Sequence, residues 1–377
     1  MKKKLLIVIG TRPELIKLAP VILEYRKRFK KPPIIILNTA QHKELLEPYW
    51  KIFNIKPNVE LDFMKQGQSL SELTSRGILQ FENFINSYCQ QGNSICGILA
   101  QGDTTSVMVS SMVAFYKNIP FYHLEAGLRT NDLYNPFPEE FNRKVASIVA
   151  QIHFAPTITS KKNLLNEGIK KNIIVSGNTI VDAVNLFKSS FKKYKLKNKQ
   201  LSNLSIESSI SNNILITCHR RENHGKNLED IISAVCKLAK KYKQFNFIWP
   251  LHPNPNVLSI VKSKIGTSYK NIFLTEPLEY IDLLFVLSKS KLVLTDSGGI
   301  QEEAPSFNVP VLILRQKTER PEGVEAGVAW LVGTNKNCIF KKAGELLSKG
   351  SFHFKNPYGN GKSSALIVSK LIKEASK

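Results

Sequence analysis

Short apolar runs alternate with amphipathic segments along almost the entire chain of 377 residues. The runs have the length and composition of buried strands, and they lie at 5–9, 34–39, 95–101, 121–125, 152–155, 173–175, 214–217, 246–250, 272–275, 292–295 and 311–314. Segments with helical spacing of their apolar residues fill most of the intervals. This alternation favours an α/β fold whose parallel sheets carry helices on both faces.

The alternation occurs twice, which predicts two Rossmann-like, doubly wound units of similar size that face a central cleft. We expect the first unit to cover residues 1–171 and the second to cover residues 172–360, with a final helix in 361–377. Ligands of open parallel sheets bind beyond the carboxyl ends of the strands. Polar residues at those points are therefore the candidates for function.

Composition and charge exclude several classes of protein. The net charge is +23, but the lysines are scattered or clustered in surface-like segments without interleaved aromatic residues, which argues against nucleic-acid binding. No apolar run is long enough to span a membrane, and the apolar part of "MKKKLLIVIG" is too short for a secretory signal. The five cysteines form no CxxC pair, which fits a reducing cytoplasm and no zinc site. We therefore expect a cytoplasmic protein without a metal.

Three carboxylates follow predicted strands or begin helices of the first unit. Asp103 lies in "QGDTT", Glu125 in "HLEAGLRT" and Glu139 in "PFPEEFNR". Asp103 also has the position of a helix cap, and Glu139 that of an ion-pair partner for Arg143. Convergence of the three carboxylates would suit proton-transfer chemistry.

Cationic and glycine-rich motifs mark the second unit. "HRREN" places His219 and Arg220 after a strand, which favours phosphate binding. His252 in "HPNP" is a second contact or part of a proline-rich turn. "TDSGGIQEEAP" is strand, turn and helix start: we expect backbone amides to bind an anion and a glutamate to bind ribose hydroxyls. The residues concerned are Ser297, Gly298, Gly299 and Glu303, with Arg320 in the loop that follows.

The turn after the first strand reads "GTRPE" and lacks the GxGxxG pattern of a nicotinamide site. Arg12 and Lys17 offer cationic side chains there instead. We therefore expect a sugar diphosphate as the ligand and no cofactor.

Together, "GTRPE…K", "QGDTT", "HLEAGLRT", "PFPEEFNR", "SGNTIVD", "HRREN", "HPNP", "TDSGGIQEEAP" and "TERPEGVEAG" resemble the non-hydrolysing UDP-N-acetylglucosamine 2-epimerases of bacterial polysaccharide synthesis. The resemblance covers nearly the whole chain, with the motifs in order. It implies a GT-B fold with UDP bound by the second unit, a C-terminal helix returning to the first, and a homodimer.

The resemblance also implies an activity and residue roles. The isomerase would interconvert UDP-GlcNAc and UDP-ManNAc by eliminating UDP to give 2-acetamidoglucal and adding it back. Asp103, Glu125 and Glu139 would form the acid–base set, and His219 would support UDP departure with Arg12 and Lys17. The remaining substrate contacts would be Arg220, His252, Ser297, Gly298, Gly299, Glu303 and Arg320, with uracil near 276–278.

Some similar enzymes bind UDP-GlcNAc at a second, allosteric site. The matching positions here are Gln41, His42 and Gln68. Glu44 and Gly67 depart from the expected pattern, which argues against activation by substrate.

Other activities remain compatible with the motifs. These are epimerisation of a modified UDP-2-acetamido sugar, hydrolytic epimerisation that releases ManNAc and UDP, and glycosyl transfer to an acceptor. A non-catalytic nucleic-acid binder is a further alternative, but it gives the carboxylates no role.

Overall fold

The computed structural model describes residues 3–41, 43–202, 212–251 and 254–376, and these residues divide into two compact units. Unit 1 comprises Met1–Ala183 and Tyr358–Lys377, and unit 2 comprises Val184–Pro357. In the part of the chain that the structure describes, no helix is both long and apolar enough to cross a membrane.

Unit 1 contains a parallel sheet in the order β3-β2-β1-β4-β5-β6-β7. Its interior strands are buried on both faces, as their continuous apolar sequences predict. The strands are β1 (Lys3–Ile9), β2 (Ile34–Asn38), β3 (Val59–Glu60), β4 (Ser94–Gln101), β5 (Phe121–Leu124), β6 (Ile152–Ala155) and β7 (Ile173–Val175).

The connections of unit 1 are helical. The helices are α1 (Arg12–Arg28), α2 (Lys43–Ile52), α3 (Leu70–Gln90), α4 (Thr105–Tyr116), α5 (Glu139–Val149) and α6 (Ile158–Asn166). A further helix, α7 (Thr179–Lys188), begins in unit 1 and ends in unit 2. Strand order reverses between β1 and β4, so the turns after these two strands lie side by side at the switch point of the sheet.

Unit 2 repeats the plan with a parallel sheet in the order β10-β9-β8-β11-β12-β13. Its switch point lies between β8 and β11. The strands are β8 (Asn213–Thr217), β9 (Asn246–Pro250), β10 (Ile272–Thr275), β11 (Ser290–Thr295), β12 (Val311–Ile313) and β13 (Ala329–Leu331).

Helices cover both faces of the second sheet and bury two apolar clusters against it. They are α8 (Lys199–Ser202), α9 (Lys226–Lys241), α10 (Pro255–Ile265), α11 (Tyr280–Ser288), α12 (Gly298–Glu303), α13 (Pro321–Glu325) and α14 (Lys336–Ser348). Short 3₁₀ segments lie at Ser190–Lys192, Arg221–Asn223 and Ala304–Phe307.

The chain then returns to unit 1, where α15 (Ser363–Ala375) packs against α1. Asp182 accepts hydrogen bonds from the Ser364 N–H and hydroxyl at 2.9 and 2.6 Å, which caps the amino end of α15. The returning helix that the family resemblance implied is therefore present.

The unit boundary differs from the expected residue 171. Residues 173–175 form β7, which pairs with β6 in the first sheet, so the chain leaves unit 1 between Ala183 and Val184. It re-enters at Tyr358, slightly before the expected residue 361. A three-residue apolar run carries no sign of which sheet it joins, because its partner is chosen by long-range pairing.

Candidate active site

A buried carboxylate joins the two turns at the switch point of unit 1. Glu14 accepts hydrogen bonds from the N–H groups of Gly10 and Thr11 in the turn after β1. Its other oxygen accepts the hydroxyl of Thr104, in the turn after β4, at 2.5 Å. Burial raises the pKa of Glu14 to about 7, despite these hydrogen bonds.

Glu125 lies at the end of β5, buried and with a left-handed backbone conformation (φ +66°). Its Oε1 is ion-paired with Lys17 and accepts Asn178 Nδ2 at 3.0 Å, while its Oε2 accepts Gln101 Nε2. A buried carboxylate is stable only with such partners. The partners come from α1, β4 and the β7–α7 connection, so three elements fix the position of one carboxylate.

Asp103 follows the neighbouring strand, since Gln101 at the end of β4 pairs with Leu124 of β5. Its carboxylate accepts Arg143 Nη2 at 2.6 Å and remains partly exposed. Its backbone carbonyl accepts Asn142 Nδ2 at 2.9 Å, which ties the turn to α5. Asp103 and Glu125 therefore lie at adjacent carboxyl ends of the first sheet.

Glu139 begins α5 and is half-buried. Arg143, which the sequence offered as its ion-pair partner, bridges Asp103 and Glu140, the latter through Nη1 at 2.8 Å. Because Asn142 and Arg143 both reach Asp103, α5 begins close to the Asp103 turn.

A buried histidine supports the same turn. His123 Nε2 lies 2.7 Å from the carbonyl of Gly102, and burial lowers the pKa of His123 to about 3. The ring is therefore neutral at ordinary pH, and Nε2–H is the donor to the carbonyl. Gly102 has φ +86°, which glycine adopts without strain.

The two cations expected in the first unit have different surroundings. Arg12 is exposed, with its guanidinium 5.8 Å from the centre of the Tyr49 ring. Lys17 is buried against Glu125.

In unit 2, the buried carboxylate of Asp296 joins the two turns at the switch point of the sheet, as Glu14 does in unit 1. It lies fully buried after β11 and accepts the N–H groups of His219 and Arg220 at 3.0 and 2.9 Å, and Asn223 Nδ2 at 2.9 Å. The "HRREN" loop is thereby held beside the turn that carries Ser297. The His219 Nδ1 lies 3.3 Å from Asp296 Oδ1, and the imidazole is partly exposed.

Several guanidinium groups cluster near this turn. Burial, with Arg315 and Arg320 nearby, lowers the pKa of Arg220 below its usual range. Arg315 is ion-paired with Glu222 at 2.7 Å, and Arg320 with Glu302 at 2.6 Å. A cation destabilised by burial and by like charges gains from a bound anion, so the cluster suits phosphate.

The glycine turn packs directly under one of these groups. A Cβ on Gly298 would lie 2.6 Å from Arg320 Nη1, whereas a Cβ on Gly299 would meet Ser297 Oγ at 3.8 Å. Gly298 is therefore required for the close approach of Arg320. Glu303, the residue expected to bind ribose, is buried in α12.

The allosteric candidates lie in unit 1. Gln41 accepts the Ser106 hydroxyl at 2.9 Å, and Gln68 accepts a hydrogen bond from Arg76. His42 lies outside the described residues, as does the substrate candidate His252.

Sequence reasoning missed four polar residues that hold the site residues in place: Glu14, Gln101, Asn178 and Asp296. Each stands inside a motif quoted above: Glu14 in "GTRPE", Gln101 in "QGDTT", Asn178 in "SGNTIVD" and Asp296 in "TDSGGIQEEAP". Their shared signal is a polar side chain at the end of a strand or within five residues after it.

A family model described as UDP-N-acetylglucosamine 2-epimerase matches residues 26–372. The chain is 43% identical over 376 residues to the UDP-N-acetylglucosamine 2-epimerase of Neisseria meningitidis serogroup A, covering 98% of this chain and 99% of that protein.

Solved structures with the same fold give the same picture as the sequence comparisons. The UDP-GlcNAc 2-epimerase from Neisseria meningitidis bound to UDP-GlcNAc superposes with a TM-score of 0.89 at 43% identity, covering 98% of this chain and all of that one. The S. aureus MnaA–UDP co-structure gives a TM-score of 0.86 at 39% identity, covering 98% and 96% of the two chains.

Proposed function

Because the chain belongs to the UDP-N-acetylglucosamine 2-epimerase family, we propose that it interconverts UDP-GlcNAc and UDP-ManNAc by inverting the configuration at C2. The observation that carries this proposal is the 43% identity to an enzyme of that name across 98% of the chain. The paired ends of β4 and β5, each followed by a carboxylate, support it, since inversion at C2 requires proton transfer.

The proposed reaction is an elimination followed by an addition. A carboxylate takes the C2 proton, the C2–H electron pair becomes the C1=C2 bond of 2-acetamidoglucal, and the C1–O bond breaks with its electrons leaving on UDP. Return of a proton to the opposite face of C2 and re-addition of UDP at C1 complete the inversion. Asp103, Glu125 and Glu139 are assigned as the acid–base set of these steps.

Unit 2 is assigned to the nucleotide. The departing diphosphate gains negative charge as the C1–O bond breaks, so the Ser297–Gly298–Gly299 turn and the arginines stabilise the transition state more than the substrate. Each such donor contributes about 3 kcal/mol in comparable enzymes. His219 and Arg220 are assigned to the diphosphate, and Glu303 to the ribose.

Arg12 and Lys17 complete the proposed set from unit 1. Arg12 is exposed, which fits its expected role in UDP departure. For Lys17 the ion pair with Glu125 supports a different contribution, namely stabilising the ionised carboxylate.

We also propose that the chain forms a homodimer through α3, α4 and α5, helices that pack side by side in unit 1. Phe115 on α4 is 66% exposed and Ile148 on α5 is 83% exposed, and further exposed apolar residues lie on the same helices. A second copy would remove this apolar surface from water.

The proposed setting is the cytoplasm, where UDP-ManNAc would supply surface polysaccharide synthesis.

Incubation with UDP-GlcNAc alone in D₂O tests the function. The expected products are an equilibrium mixture with UDP-ManNAc, deuterium at C2, and no net release of UDP. Accumulation of free ManNAc and UDP would identify a hydrolase instead. Turnover only after adding an acceptor would identify a transferase, and turnover only with a modified UDP-2-acetamido sugar would reassign the substrate.

A further inference from the structure

Asn178, in the connection between β7 and α7, is a buried node that contacts Glu125. Its Nδ2 donates to Glu125 Oε1 at 3.0 Å, and its Oδ1 accepts the N–H of Ile180 at 3.0 Å. Its own N–H donates to the carbonyl of Tyr358 at 2.7 Å, where the chain re-enters unit 1. Only 4% of the residue is exposed.

These contacts fix which way the amide faces. The Ile180 N–H is a donor and requires the amide oxygen, so the NH₂ group must face the carboxylate. An aspartate at this position would accept the Ile180 N–H equally well, but it would present an oxygen to Glu125. The two roles of Asn178, capping α7 and donating to Glu125, are therefore chemically separable.

The direction of the Glu125 side chain depends on such donors. Its left-handed backbone conformation is one that non-glycine residues adopt only when their surroundings enforce it. Lys17 from α1 is a charged group that faces it, and Gln101 reaches the other oxygen from β4. Asn178 and Lys17 both contact Oε1 of Glu125. The amide therefore fixes the position of this oxygen, while the ammonium neutralises its charge.

We propose that Asn178 is a positioning residue for the epimerisation, aiming Glu125 at the sugar and keeping it a proton acceptor. The proposal rests on the function proposed above. It also links Glu125 to the returning chain at Tyr358, because one asparagine contacts both.

The deciding variant is Asn178→Asp, with Asn166→Asp at the exposed end of α6 as the matched charge control. If Asn178 only caps α7, Asn178→Asp should have the same kcat and the same pH–rate profile as wild type. A positioning role predicts that kcat for UDP-GlcNAc falls about 100-fold with little change in UDP affinity. The acid limb of the pH–rate profile should also move up by about one unit, since two carboxylates at this distance do not ionise independently.

Asn178→Ser is the second variant, because it keeps an oxygen for the Ile180 N–H but lacks the amide that reaches Glu125. It should lose about tenfold in kcat and shift the acid limb in the same direction. If both variants give pH profiles that superimpose on wild type, Asn178 does not position Glu125, whatever their rates.

A stability titration separates this proposal from the proposed function. The melting temperature of Asn178→Asp should fall further below that of wild type as pH rises from about 4 to 8, and this pH dependence should shrink when Glu125→Gln is also present, because the two carboxylates repel only when both are ionised. If wild type makes no UDP-ManNAc, the proposed function fails and this titration still decides whether Asn178 acts on Glu125. A difference in melting temperature that does not change with pH would overturn the inference.

Discussion

The Glu14 carboxylate accepts the Thr104 hydroxyl at 2.5 Å, and this bond joins the turns after β1 and β4. In unit 2, Asp296 joins the turns after β8 and β11 through the N–H groups of His219 and Arg220. Strand pairing ends before these turns begin, so the sheet itself does not fix their separation. One buried carboxylate performs that task in each unit.

We predict that Glu14→Gln is more stable than wild type at pH 8 and equal to it at pH 4. Burial raises the pKa of Glu14 from 4.5 to about 7, so the folded state binds the proton more tightly than the unfolded state. Protonation of Glu14 therefore stabilises the fold fully below about pH 4.5, and this stabilisation is lost as the pH rises to about 7. A permanently neutral amide avoids that loss, on the order of 3 kcal/mol.

Denaturant midpoints of both proteins between pH 4 and 8 provide the measurement. The exposed Glu47→Gln is the control and should follow wild type at every pH. A difference between Glu14→Gln and wild type that does not change with pH would contradict the prediction.

Asp296→Ala should destabilise unit 2 by about 3 kcal/mol or more. Removal of the carboxylate leaves the donors of His219, Arg220 and Asn223 without their acceptor. Asp296→Asn keeps one oxygen and should lose less stability than Asp296→Ala. Unfolding free energies and calorimetric UDP binding check this order, and equal stability of the three proteins would show that the loop is held by other contacts.

Glu125→Gln and Asp103→Asn should each lower kcat for UDP-GlcNAc roughly 100- to 10,000-fold, because an amide cannot accept the C2 proton. UDP binding should change little, since the nucleotide is assigned to unit 2. Rates come from the approach to epimerisation equilibrium followed by NMR. Near-normal turnover in both variants would remove the acid–base assignment.

How much of this arrangement was predictable depends on the range of each interaction. The positions of Asp103 and Glu125 at strand ends followed from sequence, because each lies at or just after the end of an apolar run typical of a buried strand. Assignment of 173–175 to the first sheet did not, since that pairing is decided by tertiary contacts. The returning helix was expected only from the family resemblance.

The supporting residues were hidden for a different reason. Glu14 has the spacing of a capping-box glutamate, and nothing local reveals that its second oxygen reaches Thr104. Lys17 lies on a helix, and its pairing with Glu125 spans more than a hundred residues of sequence. Sequence patterns identify groups at strand ends, but they do not assign partners among them.

Disruption of the α4–α5 surface should dissociate the proposed dimer. Phe115→Ser combined with Ile148→Ser removes two of its most exposed apolar side chains. Light scattering after size exclusion should report a monomer, whereas Leu366→Ser, at a similarly apolar but separate site on α15, should remain dimeric. A wild-type monomer at micromolar concentration would contradict the proposal directly.

Gly298→Ala should weaken UDP binding about tenfold or more, whereas Gly299→Ala should have a smaller effect. The added methyl of Gly298→Ala would lie 2.6 Å from Arg320 Nη1 and 2.7 Å from its Cζ, so the guanidinium must move. Arg320 is held by Glu302 at 2.6 Å and by Glu319 at 2.8 Å, and displacement would break these contacts as well. The methyl of Gly299→Ala meets only an ordinary contact with Ser297, so Arg320 stays in place. Calorimetric titration of both variants with UDP gives the comparison, and melting temperatures show whether the fold is retained. If the two variants bind UDP equally, Arg320 is not part of the phosphate site.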